Sequence, residues 1–517
     1  MRAVGFVCVL IVASFGAPAL GLGGPENVLV VDNSNSPVSQ RIAAYYVSQR
    51  GIPAGNMATI NTVDSSLSSA NESISPADYT SLIEQPIRTY LSTHGLTDQI
   101  QYIVLTKGIP IKLAYDPFGG QYGPQSVDSM LAAMDLIDPL LVEFTDSNHN
   151  VVASVYANRF WRSQAPFAHS THGGYLVTRL DGYTEDDAKA LVTRALAPPA
   201  SSRYLLDVDP NRGLGTSSLQ PKSILLPDGT LDPNYHLGYE DFNADMIRAS
   251  QILVERPNLS VLLDTSITFM GSTEPLLGYV SWGSNDNHYN STTYRSLTFG
   301  ARSVVETAVS TSGRTFLPTT GGQSLIADLI AQGAAGAKGY VSEPFLHAVA
   351  SPTVLFDLYS SGRNLAESCY AASRFVRWKD VVLGDPLCCL AGQAVSTIAA
   401  ARDLADGTLV SMTGKTVSAG TEDFGDRFYI QEPNRPSGIQ IYIGQSFAGI
   451  PRGSVVGVRG IIGTRFGERC ILNPSITGPG PGPMPFGAKA FGEPAPWQSA
   501  APACRVRGVP LNGHTSP

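Results

Sequence analysis

A doubly wound, mostly parallel α/β sheet followed by a small all-β barrel is the architecture this sequence predicts. Three observations carry that reading. From about residue 27 to residue 390, short apolar runs alternate with segments of helical spacing, as βα units do. After Ala391 the spacing changes to strands of alternating polarity separated by turn residues. The chain of 517 residues, 43% hydrophobic and 15% charged, is also too long for one ordinary core, so about two to four domains are expected.

The elements follow in order. An apolar run at 27–31 leads through Asp32-Asn33-Ser34-Asn35-Ser36-Pro37 into a helix over 38–50, whose apolar face is Ile42, Ala43, Tyr46 and Val47. Gly51-Ile52-Pro53 ends it, and 57–60 is a second strand. A helix over 77–94 and a buried strand over 100–105 complete the first βα alternation. Residues 107–170, rich in Pro, Gly and Asp, read as an insertion at the carboxyl edge of the sheet. The alternation resumes with strands expected at 175–180, 223–226 and 260–263 and helices at 184–196 and 243–255. Two further strands, near 277–282 and 304–309, precede a helix at 323–332, a strand at 338–341, helices within 353–375 and a final strand at 381–387. The body is therefore placed at 25–390 and the barrel at 393–474, with five strands at 408–417, 427–431, 438–443, 455–462 and 469–472. From 475 to 517 the Pro/Gly-rich chain has no periodicity and is expected to be disordered.

Bulk composition narrows the setting. Residues 1–19 carry Arg2, an apolar run and Ala17-Pro18-Ala19, the pattern of a cleaved export signal, so a secreted, extracellular or periplasmic protein is expected. The apolar run is shorter than the ~20 residues a bilayer requires, so no membrane span is expected in the mature form. A net charge of -8 gives no general affinity for nucleic acid or anionic membranes. Six cysteines, one of them inside the signal, are too few and too irregularly spaced for a disulfide framework or a zinc ribbon. Adjacent Cys388 and Cys389 read as small buried hydrophobes.

Three motifs stand out: Leu277-Gly278-Tyr279-Val280-Ser281-Trp282-Gly283-Ser284-Asn285-Asp286, Val304-Val305-Glu306-Thr307-Ala308-Val309-Ser310-Thr311-Ser312-Gly313, and Leu383-Gly384-Asp385-Pro386-Leu387. Together they resemble the gingipain-like branch of the caspase-fold cysteine peptidases. In that branch one strand ends in Gly-His-Gly-Ser, the next in Ala-Cys-x-x-Gly, and the body closes on Leu-Gly-Asp-Pro. The resemblance implies a caspase-like fold. It also puts Trp282 at the histidine position and Ser310 at the cysteine position, so the chemistry of a cysteine peptidase is missing. Stretches such as 28–36, 45–53, 107–110, 126–129, 176–182 and 342–344 are similar to a wider group of large secreted bacterial proteins known mainly as uncharacterised, which implies no reaction.

Peptide hydrolysis needs a nucleophile and a base in mutual reach. Indole accepts no proton, and it offers one N–H and a large apolar face, for stacking on a ligand or for capping the sheet. Ser310 would need a base, and the candidates nearby are Glu306, His288 and His347. Polar residues at expected strand ends, Asp32, Asn33, Thr106, Lys107, Asp181, Ser284, Asp286 and Glu343, could line a cleft or serve as turn and cap residues. Carboxylates of this kind suit Ca2+ or Mg2+, yet no EF-hand spacing is present, and no metal or other cofactor is assigned. His169 with His172, and Glu343 with His347, lack a third ligand, and no phosphate-binding Gly motif occurs. In the barrel, Phe428, Tyr429 and Tyr442 with Arg459 and Arg465 form a candidate binding face resembling that of OB-fold domains.

Three functional readings follow. The first is a degenerate peptidase-like body acting in binding or surface assembly with an extracellular polymer or protein ligand. The second is an active hydrolase using Ser310 or another cleft residue. The third is binding of nucleic acid or polysaccharide through the barrel.

Overall fold

A computed structural model describes residues 23–118, 120–212, 220–221, 239–447 and 449–481. The export segment, the strand expected at 223–226 and residues 482–517 lie outside the described residues.

The body is built on a ten-stranded sheet. Its strands are β1 Val28–Asn33, β2 Met57–Ile60, β3 Tyr102–Thr106, β4 Leu176–Leu180, β5 Arg203–Asp207, β6 Ser260–Asp264, β7 Leu276–Ser281, β8 Phe299–Thr307, β9 Gly336–Tyr340 and β10 Asp380–Gly384. They lie in the order β6-β5-β7-β8-β9-β10-β4-β3-β1-β2. Strands β6, β5, β7, β8 and β9 pair in parallel, as do β4, β3, β1 and β2, while β10 runs antiparallel to β9. Each of β1, β3, β4, β7, β9 and β10 is buried along its whole length. That is why they read as continuous apolar runs: helices cover both faces of a parallel sheet, and no side chain is left in water.

Local signals set the helices between them. In α1, Pro37–Arg50, the Ser36 side chain accepts from the Ser39 amide, Pro37 opens the first turn and Gly51 closes the helix at φ 65. In α2, Glu185–Leu196, Thr184 and Asp187 form a reciprocal capping box. The expected helix over 77–94 is instead Pro76–Asp78, a wider π-type turn over Tyr79–Glu84 and a helix over Gln85–Thr93. Helix α3, Tyr239–Val254, lies between β5 and β6 in the chain. Within the insertion, Leu141–Thr145 and Val151–Ala157 pair as an antiparallel ribbon that Phe375–Val376 extends.

Strand β5 is the main departure from expectation. The sequence pattern predicts no strand at Arg203–Asp207, and the strand it predicts at 223–226 lies outside the described residues. Five residues with one apolar triplet carry little periodic signal, and it is pairing with β6 and β7 on either side that establishes β5.

The second domain is a closed five-stranded barrel, β11 Leu409–Ala419, β12 Arg427–Gln431, β13 Gly438–Tyr442, β14 Ser454–Arg465 and β15 Glu468–Pro481. The order is β11-β12-β13-β15-β14, closed by β14 pairing back onto β11. Val410, Met412, Phe428, Ile430, Ile439, Ile441, Val458, Ile462 and Ile471 fill it. The last strand pairs as far as Pro481, so residues 475–481, expected to be disordered, are part of the barrel. Arg459 Nε donates to Gly362 O at 2.7 Å and Asn473 Nδ2 to Ser361 Oγ at 3.2 Å, joining barrel to body. Among the described residues no helix is long and apolar enough to cross a membrane.

Candidate functional site

Strand order decides which polar strand ends can meet. From β1 the chain goes to β2 on one side and then to β3 on the other; from β5 it goes outward to β6, and from β7 inward to β8. Crevices form outside the carboxyl ends of strands at such reversals. The sheet therefore has two, one at β1/β3 and one at β5/β7.

The first crevice is filled by its own side chains. Asn33 Nδ2 donates to Thr62 O, Val63 O and Gly108 O at 2.8–3.2 Å, and Asp32 Oδ1 accepts the Thr59 hydroxyl at 2.7 Å. Ser39 and Thr106 hydroxyls meet at 2.6 Å. Lys107 Nζ reaches Asp181 Oδ1 at 3.1 Å, Gly182 O at 2.7 Å and Phe316 O at 3.1 Å. Arg179, fully buried, forks onto Asp128 and also lies 3.6 Å from Asp181. Asp32, Asp181 and Lys107 are thus internally satisfied framework residues. Six inter-strand steps separate β1 from β7, about 29 Å at ~4.8 Å per step, so Asp32 cannot share a cleft with Asp286. Glu343 accepts the Phe345 amide at 2.9 Å and shapes its own turn.

The second crevice gathers carboxylates. Asp207 ends β5, Asp264 ends β6, and Asp209 and Asp286 follow β5 and β7. Asp209 Oδ1 accepts the Asn211 amide at 2.9 Å, Asp209 Oδ2 the Asn287 amide at 2.8 Å, and Asp286 Oδ1 the His288 amide at 2.6 Å. Donor atoms of Asp209, Asp286 and His288 all lie within 4.8 Å of one another. Burial pushes Asp207 up to about 8; the Met270 amide opposes this, and the Asp286 and Asp264 charges add to it. Asp286 is also raised, by burial first and then by the Asp209 charge, against the pull of the His288 amide. Of this group, sequence reading singled out Asp286 and His288 but missed Asp207, Asp209 and Asp264. The signal available was the apolar triplet Tyr204-Leu205-Leu206 ending in Asp207-Val208-Asp209.

The two peptidase-like positions lie beside this crevice and are chemically different from a peptidase pair. Trp282 is 1% exposed, packed edge-on against Phe242 at 5.0 Å, and its Nε1 donates to Asn243 Oδ1 at 2.7 Å. It offers no open stacking face, which corrects that expectation. Asn243 Nδ2 in turn donates to Asp209 O at 2.8 Å, so the indole braces the acidic loop. Ser310 is partly exposed just beyond β8, and no hydrogen bond joins it to His288 among the described residues. Glu306 is wholly buried on the Tyr340 hydroxyl at 3.0 Å, beside the Lys338–Asp380 ion pair, and cannot act as its base. His347 is likewise buried, which lowers its pKa to about 3. Ser284 and Ser324 exchange amide-to-hydroxyl bonds at 2.9 and 3.1 Å, tying the loops after β7 and β8. His169 stacks on Tyr175 and His172 on Phe167, as packing residues. Cys388 is buried, which pushes its thiol up to about 12, while Cys389 is partly exposed.

On the barrel, outward positions of β12 and β13 carry Arg427 opposite Tyr442 and Tyr429 opposite Gln440. Phe424 lies 5.6 Å from Tyr429, and Arg427 lies over Phe424 at 5.6 Å. Arg465 stacks on Tyr442 at 3.8 Å and reaches Phe466 at 5.5 Å. Phe424 is 39% exposed and Phe466 97% exposed. Glu468 accepts from Tyr429 at 3.2 Å and from Gln440 at 3.0 Å. Two expected members of the face lie elsewhere. Phe428 points into the barrel core, and Arg459 is spent on the Gly362 carbonyl. Two arginines of the basic run are paired, Arg452 with Asp423 at 2.8 Å and Arg469 with Asp406, while Arg465 lies over aromatic rings.

No family model matches the chain, and no curated protein matches it. A solved structure named "Structure of Protease" is similar to it with a TM-score of 0.40 and 11% identity, over 87% of this chain and 96% of that one. Similarity at that level assigns no activity.

Proposed function

We propose that this is an exported recognition protein whose α/β body is a catalytically silent, peptidase-like scaffold and whose barrel binds a neutral polysaccharide. The observation that carries the reading is the aromatic row Tyr429–Phe424–Tyr442–Phe466, its tyrosines half-buried and its phenylalanines exposed, interleaved with Arg427 and Arg465 on one outward face. Flat aromatic rings take the apolar faces of sugar rings, and the Glu468 carboxylate at the edge offers an acceptor to hydroxyl groups, with buried Gln440 holding it in place. Charge favours sugar over nucleic acid as the ligand. Binding to a phosphate backbone is driven by counterion release from unpaired cations, and Arg427, with Asp426 at 3.2 Å, Arg452, with Asp423, and Arg469, with Asp406, already have their counter-charges. On the body, a buried Trp282 and an unpaired Ser310 supply neither a base nor an activated nucleophile.

Affinity electrophoresis of the purified protein through gels containing xylan, laminarin or dextran tests the reading. Retardation by at least one of them is expected, and Tyr442→Ala should weaken it by about 2 kcal/mol, roughly 30-fold. Unretarded migration through all three, or retardation unchanged in Tyr442→Ala and Phe466→Ala, would rule the reading out. Salt-sensitive retention on single-stranded DNA would replace the polysaccharide with nucleic acid.

A further inference from the structure

We propose that Asp209, Asp286 and His288 form a binding site for one divalent transition-metal ion, of the Zn2+ or Mn2+ class, in the crevice between β5 and β7. The three side chains differ in burial in the way a metal site open to solvent requires. Asp209 and Asp286 are buried and His288 is exposed. Both carboxylates are held by backbone amides, Asp209 by Asn211 and Asn287 and Asp286 by His288. Asp286 Oδ2 and both imidazole nitrogens accept no hydrogen bond among the described residues. Ligands fixed by a second set of hydrogen bonds, with lone pairs left over, are what metal centres share.

An independent observation points the same way. The Tyr279 hydroxyl is fully buried on β7 and makes no hydrogen bond of ordinary geometry. The carboxylates whose charges act on it are Asp207 and Asp286. A buried polar group without a well-aligned partner is costly; Ser281 is the near side-chain neighbour of this hydroxyl, and the charges of both Asp207 and Asp286 reach it. Charge balance gives a third reason. Asp207, Asp209, Asp264 and Asp286 converge at three neighbouring strand ends, and the positive groups that oppose charge on Asp286 are His288 and then Arg212, its guanidinium 5.4 Å from the Trp282 ring. Buried anions in excess of cations are stable only with a counter-charge or a bound proton.

Geometry and donor chemistry choose the class of ion. On a tetrahedral Zn2+ two ligand atoms at about 2.0–2.2 Å from the metal stand about 3.3–3.6 Å apart. The donor atoms lie within 4.8 Å of one another, and rotation of the exposed His288 ring is the movement that draws them together on an ion. Two carboxylate oxygens and one imidazole nitrogen suit Zn2+ or Mn2+, whereas Ca2+ takes six to eight oxygens. Three protein ligands leave positions for water or for an oxygen of a further ligand. The site is independent of the barrel face, so polysaccharide retention should persist in chelator.

The experiment is metal titration of the full protein after removal of metal with EDTA, using a chromophoric competitor for Zn2+, electron paramagnetic resonance for Mn2+, and calorimetry for Ca2+. One equivalent of Zn2+ or Mn2+ should bind and raise Tm. His288→Ala, a surface change that leaves the fold intact, should weaken binding by about 10- to 100-fold, and Asp286→Asn by at least as much. Three results would each overturn the proposal: no binding of Zn2+ or Mn2+ at 100-micromolar concentrations (about 0.1 mM, far above a specific site's Kd), equal binding in both variants, or binding of Ca2+ alone.

Discussion

Trp282 Nε1 and Asn243 Oδ1 are joined by a 2.7 Å hydrogen bond in the interior of the body, and the other end of the Asn243 amide holds the Asp209 carbonyl at 2.8 Å. Trp282 is therefore a strut beneath an acidic loop. Asn243→Ala should leave the buried indole N–H unsatisfied and cost about 1–3 kcal/mol, measured by chemical denaturation. It should also loosen the loop, visible as faster amide exchange at Asn211 and Asn287. Unchanged exchange at both would separate the indole from the acidic crevice.

Glu306 gives the body a pH dependence of definite sign. Burial pushes its carboxyl up to about 8, with Lys338 opposing. The folded state then binds the proton more tightly than the unfolded state, whose carboxyl titrates near its usual ~4.3. Stability from this group is full below that value and declines as pH rises, until it levels off above about 8. Glu306→Gln should remove the decline, so the variant gains on the parent by a few kcal/mol (about 3–5) between pH 5 and pH 8.5. Parallel stability curves for the two proteins would contradict the burial argument.

The Arg179–Asp128 fork is wholly buried, with Arg179 also donating to the Ile109 and Pro110 carbonyls. Asp128→Asn removes the forked counter-charge and leaves the guanidinium only Asp181, 3.6 Å away and shared with Lys107, so a loss of about 3 kcal/mol is expected in urea denaturation. A loss below about 1 kcal/mol would place that pair among the weak surface ion pairs instead.

Gly362 sits at φ +88, and a Cβ there would meet Arg459 Cδ at 2.9 Å. Gly362→Ala should strain the turn and push Arg459 off its carbonyl, destabilising by about 1–3 kcal/mol and increasing protease cleavage between body and barrel. Arg459→Ala should share the second effect while leaving polysaccharide retention unchanged, since that side chain is not on the aromatic face.

Phe466 and Gly467, at φ 51 and 80, form the two-residue turn between β14 and β15. Such turns favour Asn-Gly, and a bulky aromatic in the left-handed region is strained. Phe466→Asn should therefore stabilise the barrel by up to about 1 kcal/mol and weaken polysaccharide retention. Calorimetry and affinity electrophoresis on the same preparation would read the opposed effects; a variant that loses both stability and retention would remove the case for a binding role of Phe466.

Much of the fold was legible. Continuous apolar runs such as Val28–Asn33 and Tyr102–Thr106 announced strands covered on both faces, and Ser36-Pro37 and Thr184 with Asp187 announced helix starts. One error in the candidate face was avoidable from sequence alone. Phe428 and Tyr429 are adjacent on a strand, and successive side chains point to opposite faces, so only one of them could be outside. β5 was not legible in the same way, because its five residues carry no period and its identity comes from neighbours far along the chain.

What the sequence by itself determined is the alternation of elements, their caps and the absence of histidine and cysteine at Trp282 and Ser310, all consequences of local backbone geometry and side-chain chemistry. What only the tertiary structure decided is which polar strand ends meet: Asp32 and Asp181 were placed in an internally satisfied framework, and Asp209 was brought to Asp286 and His288. The tertiary structure also decided that Trp282 is buried and that Phe424 and Phe466 are exposed on the barrel. The reason is physical: a residue's conformation is set by near neighbours in the chain, whereas strand order and burial are set by pairing and packing between segments distant in sequence.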